Sequence, residues 1–261
     1  MNPAPFAAMP LRPSPSPRPS AERHSFMLTG EGPGQMQPDL LGALDGAGRA
    51  MVLERGRQRS FKRGTSVFRQ GEPHDGIFLV EEGLVRVFYT ASSGREITLA
   101  YWMPGSFVGG PEVFGAGSHV WSGIAARDTK ALWLSGSDMR SLVQRLPGLS
   151  IGIIEGLVFK GQCYSLLAQM LGTRSVVERL ACVLYRLMQQ YGVQVDNGIQ
   201  VSSPFTHDDM AHLVGATWQW VSMTLRRFAD QGVLEVSRKN LIILQPDWLA
   251  ALRDTTDGQA E

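Results

Sequence analysis

The stretch from Thr206 to Phe228 holds the side chains whose types and spacing imply a specific chemistry. Gln219 offers a carboxamide able to bond an adenine edge through two hydrogen bonds. Arg226, Ser222 and Thr217 offer a guanidinium and two hydroxyls suited to phosphate oxygens. On a 3.6-residue period, Gln219, Ser222, Met223 and Arg226 fall on the side of a helix opposite Val221, Leu225 and Phe228. Trp218 lies on the flank of that helix's first turn, where it is free to protrude. The chemistry implied is recognition of a nucleic-acid duplex, with a helix laid in the major groove. Bond-breaking chemistry has no comparable signal. No nucleophile and base are paired, no metal-ligand set is spaced for coordination, and the glycines from Gly105 to Gly110 lack the Lys-Ser/Thr of a phosphate loop. The chain is therefore expected not to be an enzyme and to carry no cofactor.

Two short helices must position those groups. Thr206, followed three residues later by Asp209, caps the first, which packs through Met210, Ala211, Leu213 and Val214. Gly215 stands where the chain must turn left-handed, and Thr217 caps the second helix. The residues from Gly232 to Leu244 read as a β-hairpin whose tip, Ser237-Arg-Lys-Asn240, presents Arg238 and Lys239 to a phosphate backbone. A winged helix-turn-helix follows, with Thr206, Thr217, Trp218, Gln219, Ser222, Arg226, Arg238 and Lys239 as its DNA-binding residues.

Ahead of it, the sequence changes character twice. Residues 60–135 hold short β-runs punctuated by glycine: Thr65 to Phe68, Gly76 to Val80, Leu84 to Tyr89, Glu96 to Tyr101, Val120 to Ala125 and Lys130 to Leu134. Such closely spaced strands imply an all-β sandwich or roll. From Ser137 the period is helical. Ser137 caps a short helix, a long helix spans about Leu149 to Leu171, and another spans Ser175 to Tyr191. Ile154, Leu157, Tyr164, Ala168 and Leu171, with Gly161 in the gap, form a coiled-coil-like seam on the long helix. Gly148, Gly152 and Gly156 are placed for close approach of another backbone. A shorter helix is expected from Asp39 to Leu53, weakened by Gly46 and Gly48.

Composition sets outer limits. The net charge is +1, and seven basic residues balance seven acids between Gly172 and Ala250, so placement rather than amount must carry any affinity for nucleic acid. The two cysteines, Cys163 and Cys182, exclude a disulfide framework and a four-cysteine iron–sulfur centre. Cys182 lies off the apolar stripe of its helix. His74 and His119 are read as solvated residues near turns. The Pro- and Ser-rich beginning of the chain lacks a signal pattern and reads as a disordered tail. No apolar run is expected to reach the ~20 residues needed to cross a bilayer, so a cytoplasmic protein without a membrane partner is expected. The expected division is a tail over 1–38, a roll over 39–146, a dimerisation helix over 147–172, a winged helix-turn-helix over 173–250 and a flexible tail over 251–261.

The order of parts resembles the cyclic-AMP receptor protein and fumarate–nitrate regulator (Crp/Fnr) superfamily, over about Leu40 to Leu249. Three motifs carry the resemblance: Lys62-Arg-Gly-Thr-Ser-Val-Phe-Arg-Gln-Gly-Glu72, Gly105-Ser-Phe-Val-Gly109 and the His207 to Phe228 segment. It implies an α+β fold: a cyclic-nucleotide-binding-type β-roll (a double-stranded jelly roll), a long dimerisation helix and a winged helix-turn-helix. It also implies a homodimer on a palindromic duplex DNA site, contact with RNA polymerase, and control by an effector in the roll.

Members that bind cyclic AMP carry a glutamate and an Arg-Ser pair that hold the nucleotide; those positions fall here on Gly110 and on Val120 and Trp121. Without the arginine, the charge-assisted bond to the cyclic phosphate is lost. The pocket expected here is Gly109, Gly110, Val120, Trp121, Tyr164 and Ser165, and its effector an apolar or aromatic small molecule, or none. Where well-known members open the recognition helix with Arg-Glu, this chain has Trp218-Gln219, so its half-site should differ from theirs. The competing expectation is a ligand-binding regulatory module that acts on a protein partner without binding DNA.

Overall fold

The computed structural model describes residues 38–94, 96–202, 205–236 and 241–254. The expected disordered tail, apart from Pro38, lies outside the described residues, as do the Arg238 and Lys239 wing tip and residues 255–261.

The described residues open on a turn at 40–43 and helix α1 (Gly46–Arg55), whose N-terminal amides are capped by Asp45. The expected helix therefore begins later, with Gly46 and Gly48 inside it. Eight strands follow: β1 (Arg57–Phe61), β2 (Ser66–Phe68), β3 (Gly76–Glu82), β4 (Val85–Thr90), β5 (Glu96–Trp102), β6 (Phe107–Val108), β7 (Ser122–Ala125) and β8 (Thr129–Ser135). They form two four-stranded sheets, ordered β1-β8-β3-β6 and β2-β7-β4-β5. Alternation of side chains sets the register. Ile77 faces Leu134 and Leu79 faces Leu132 across β3 and β8, and these four are buried. The β4–β5 hairpin pairs Val85 with Trp102 and shifts register between Val87 and Phe88. Inside it, Arg86 donates to Thr98 at 2.9 Å and to Glu96 at 2.7 Å.

Helix α2 (Gly136–Arg145) is capped by Ser135, not by Ser137, because the Ser135 hydroxyl accepts from the Asp138 amide at 3.1 Å. The long helix α3 (Pro147–Thr173) buries Leu149, Ile153, Phe159, Cys163, Leu167 and Met170. Phe159 and Cys163 sit in the core between the two sheets. Gly148 and Gly152 meet the chain's own turn at 40–43, and Gly156 meets the Phe107 ring of the roll. A side chain at Gly152 would lie 2.3 Å from the Leu40 carbonyl oxygen, and one at Gly148 would lie 2.7 Å from that of Ala43. The close backbone approach is thus internal and is not a contact with a second chain.

α3 also corrects the expectation that no segment reaches membrane-spanning length. Its 27 residues are long and apolar enough by composition, with a mean hydropathy of 1.2 over 18 residues. Its apolar content is divided here between a face under the roll and an exposed stripe.

The remaining chain forms helix α4 (Val176–Tyr191), strands β9 (Gly192–Val195) and β10 (Gly198–Val201), helix α5 (His207–Val214), helix α6 (Trp218–Asp230), strands β11 (Leu234–Val236) and β12 (Leu241–Ile243), and helix α7 (Pro246–Asp254). A capping box at Ser175 and Glu178 starts α4. Its apolar face forms one core with α5, α6 and a four-stranded sheet ordered β11-β12-β10-β9. Cys182 is buried in α4, where Arg174 donates to its sulfur at 2.9 Å. α7 carries regular structure past residue 250, so residues 251–254 are not a loose tail; Leu249 is fully buried, and the Arg253 carbonyl accepts from Arg174.

Candidate nucleic-acid interface and effector cavity

The Thr206 hydroxyl accepts from the Asp209 amide at 3.1 Å, and the Asp209 carboxylate accepts from the Thr206 amide at 2.9 Å, which starts α5 on a reciprocal cap. Gly215 ends it at φ 67° and ψ 39°, the left-handed conformation that only glycine adopts without cost. Thr217 caps α6, its hydroxyl accepting from the Trp220 amide at 3.2 Å. Val221, Thr224, Leu225 and Phe228 face inward from α6. Their burial fixes the rotation of the helix and leaves Trp218, Gln219, Met223, Arg226 and Arg227 exposed. Met223, at 73% exposed, and Trp218, at 52%, add apolar groups to that outer face. Ser222 is half-buried, and its hydroxyl meets the Nδ1 atom of His207 at 3.2 Å, so it links the two helices.

Two contacts hold this pair of helices in place that the sequence reading did not anticipate. Arg179, buried in α4, donates to the carbonyls of Val214 at 3.0 Å and Arg174 at 3.0 Å, and so pins the carboxy-terminal end of α5. Tyr101, fully buried at the end of β5, donates to Asp209 at 3.1 Å and stacks edge-on against Phe205 at 5.2 Å. The cap of the first helix thereby docks on the roll. Burial and the neighbouring Asp209 carboxylate push the Tyr101 phenol pKa upward, so the hydroxyl stays protonated and remains a donor.

The second candidate site is a cavity of about 230 Å³ between the roll and α3. Its walls include Gly109, Gly110, Trp121 and Tyr164, together with Trp102, Leu157 and Lys160. Val120 and Ser165 do not line it. Val120 is 51% exposed, and Ser165 lies on the exposed side of α3, because the helix turns its Tyr164 face to the roll. Trp121 and Tyr164 contact one another, with ring centroids 5.7 Å apart.

His74 and His119 are buried rather than solvated. The His119 Nδ1 atom meets the Gly109 carbonyl, its ring stacks on Phe68 at 4.6 Å, and His74 lies edge-on to it at 4.5 Å. They brace the glycine turn at the cavity's edge. Desolvation and His119 lower the pKa of His74, so it is neutral at neutral pH.

Lys160 is the group in this cavity that the sequence reading passed over. It is 8% exposed, and its Nζ atom lies 3.4 Å from the centroid of the Trp102 ring and 4.8 Å from that of Phe107. Burial pushes its pKa down to about 7. Burial also pushes the Cys163 thiol up to about 12, which keeps it an unreactive thiol at neutral pH.

A β-roll joined by a long helix to a helix-turn-helix with a flanking β-hairpin is the architecture of a two-domain DNA-binding regulator. The cyclic nucleotide-binding domain family matches residues 58–146, and the Crp-like helix-turn-helix domain family matches residues 178–252. The chain is 28% identical over 191 residues to a CRP-like cAMP-activated global transcriptional regulator of Mycobacterium tuberculosis, covering 73% of this chain and 85% of that one. It is 28% identical over 186 residues to the cyclic AMP receptor protein of Thermus thermophilus, covering 71% and 83%. Among solved structures, CooA from Carboxydothermus hydrogenoformans shares the fold with a TM-score of 0.67 at 23% identity, covering 78% of this chain and 90% of that one. The chain belongs to the Crp/Fnr superfamily, and it is a Crp-like transcription regulator with a helix-turn-helix DNA-binding domain.

Proposed function

We propose that the protein is a homodimer that binds a specific palindromic DNA site and responds to a small apolar or aromatic effector rather than to cyclic AMP. The outer face of α6 carries the proposal for DNA. Its inward residues are buried without exception, and Gln219 and Arg226 are left free to enter a groove. Gln219 is the base-reading residue, while Arg226 and Thr217 position the helix on phosphates. Trp218 and Met223 flank Gln219 and are suited to thymine methyl groups. Contact with RNA polymerase and a cytoplasmic location rest on the family resemblance.

Dimerisation is supported by an exposed stripe on α3. Ile151, Ile154, Val158, Gly161, Ser165, Ala168 and Gly172 are spaced alternately by three and four residues, and none is charged. Relative to the expected seam, Leu157 and Tyr164 have rotated inward onto the roll. A Cβ at Gly161 or Gly172 would meet nothing within 4 Å, so both positions stand open to a partner helix. Gly161 also lines the cavity. An occupant there would press on the seam directly, and through the seam on the spacing of two recognition helices.

Cyclic AMP is a poor fit for the cavity. Among the described residues, no carboxylate and no arginine lines it, and about 230 Å³ is below the ~300 Å³ lower end of ordinary ligand pockets. Selection of DNA from a random pool, sedimentation of the purified chain and calorimetry with cyclic AMP test the proposal together. Enrichment of a two-fold symmetric site, a dimer mass and no nucleotide binding are expected. A monomer with no enriched sequence would leave only a module acting on a protein partner, and saturable cyclic AMP binding would overturn the effector reading.

A further inference from the structure

We propose that the effector is a small aromatic or apolar acid whose anionic group is bound by the Lys160 side chain. The inference rests on the effector reading above and adds the charge of the ligand to it. Among the described residues, no ion pair or hydrogen bond engages the Nζ atom of Lys160; its neighbours are the ring faces of Trp102 and Phe107. A desolvated amine without a counter-ion is costly to hold. Ring faces return part of that cost when it is protonated. A carboxylate would return more, through a charge-assisted hydrogen bond in a dry site. Every other cavity wall is apolar, aromatic or glycine. The complementary ligand is therefore an apolar body with one acidic head. At ~30 Å³ per water, the cavity has room for roughly eight waters, which suits one substituted ring or a short chain.

The same geometry gives the pH dependence. From its own helix, Cys163 and Tyr164 face Lys160, and burial raises the pKa of both, so both stay neutral. Among the described residues, the roll brings Trp102, Phe107 and Ser106 to it and the first turn brings Pro38 and Leu40, and none of these titrates near neutral pH. With Lys160 lowered to about 7 in the empty cavity, an anion must recruit a proton to it at higher pH. Affinity for an acid should then fall as pH rises above 7, by up to about tenfold per pH unit, while affinity for a neutral analogue should not change.

Calorimetry with three acid and amide pairs tests this on the full chain: benzoate and benzamide, phenylacetate and phenylacetamide, hexanoate and hexanamide. At least one acid should bind about tenfold or more tightly than its amide near pH 7, a preference typical of one charge-assisted contact. Lys160→Met should erase that preference, and so should Lys160→Gln, which keeps a polar head without charge and guards against a folding defect in either variant. Amides that bind as well as their acids would overturn the acid inference and leave the apolar-effector reading standing. A preference that survives both variants would also overturn it. Binding by none of the six would overturn both.

Discussion

Replacing Lys160 with methionine should stabilise the protein at neutral pH, although it removes a long side chain from the interior. Burial lowers the folded-state pKa of the amine from its usual value near 10.5 to about 7. Between those two values the unfolded chain binds a proton that the native chain lacks. Stability therefore rises with pH across this window, by at most ~1.4 kcal/mol per unit. The burden is fully present below about pH 7 and gone above about 10.5. It amounts to no more than roughly 5 kcal/mol at neutral pH, and contact with the Trp102 and Phe107 faces reduces it. Exchanging a buried charge for an apolar side chain of similar volume should then gain about 1–4 kcal/mol. The melting temperature should rise by roughly 2–4 °C for each of these. Urea unfolding of wild type and Lys160→Met, run from about pH 6 to pH 10, should show the variant ahead at the acid end and the two converging at the alkaline end. A variant less stable than wild type near pH 7, or a gap that does not change with pH, would refute this reasoning.

The other interfaces give predictions of the same kind. Ile154→Asp places a charge in the exposed α3 stripe of both chains and should weaken self-association by at least about a hundredfold, since burying one isoleucine is worth ~1.5–3 kcal/mol; analytical ultracentrifugation reads this, and an unchanged dimer would remove α3 as the seam. Gly215→Ala forces a side chain into the left-handed turn at φ 67° and should cost about 1–2 kcal/mol in urea unfolding. Tyr101→Phe deletes the hydrogen bond to Asp209, worth ~1.5–3 kcal/mol for a charged acceptor. Amide exchange across α5 should accelerate as a result, and unchanged protection would show that this contact does not secure the docked helix.

Much of this structure was legible in the sequence because local rules and packing agree. Thr206, Gly215 and Thr217 mark helix boundaries by capping and turn chemistry, which need no tertiary context, and Val221, Leu225 and Phe228 fix which way α6 faces. Six of the β-runs were readable from their apolar residues and glycine punctuation, whereas β1 and the two-residue β6 were not. The register shifts between Ser66 and Phe68, Val80 and Glu82, and Val87 and Phe88 depend on the partner strand. What escaped was set at long range. Strands β9 and β10 follow α4 without a break, yet Val193 and Val195 alternate, Ile199 and Val201 alternate, and Asn197-Gly198 marks the turn between them. A lysine in a helix reads as solvated, and the burial of Lys160 depends on residues distant in sequence, Trp102 and Phe107 of the roll among them. Likewise the phase of α3 follows from how Phe159, Cys163 and Leu167 seat under the sheets, which shifts the exposed stripe away from Leu157 and Tyr164. The expectation that Val120 and Ser165 line the cavity follows from the family resemblance, which does not fix side-chain direction, and both are exposed.

The account depends most on the outer face of α6 reading bases, and a comparison of Gln219→Ala with Arg226→Ala tests that most directly. Affinities of both variants would be measured on the selected DNA site and on random DNA at one salt concentration. Gln219→Ala should lose about 1–3 kcal/mol on the selected site and almost nothing on random DNA, while Arg226→Ala should weaken both about equally. Equal losses on the two DNAs for Gln219→Ala, or no loss on either, would contradict the claim.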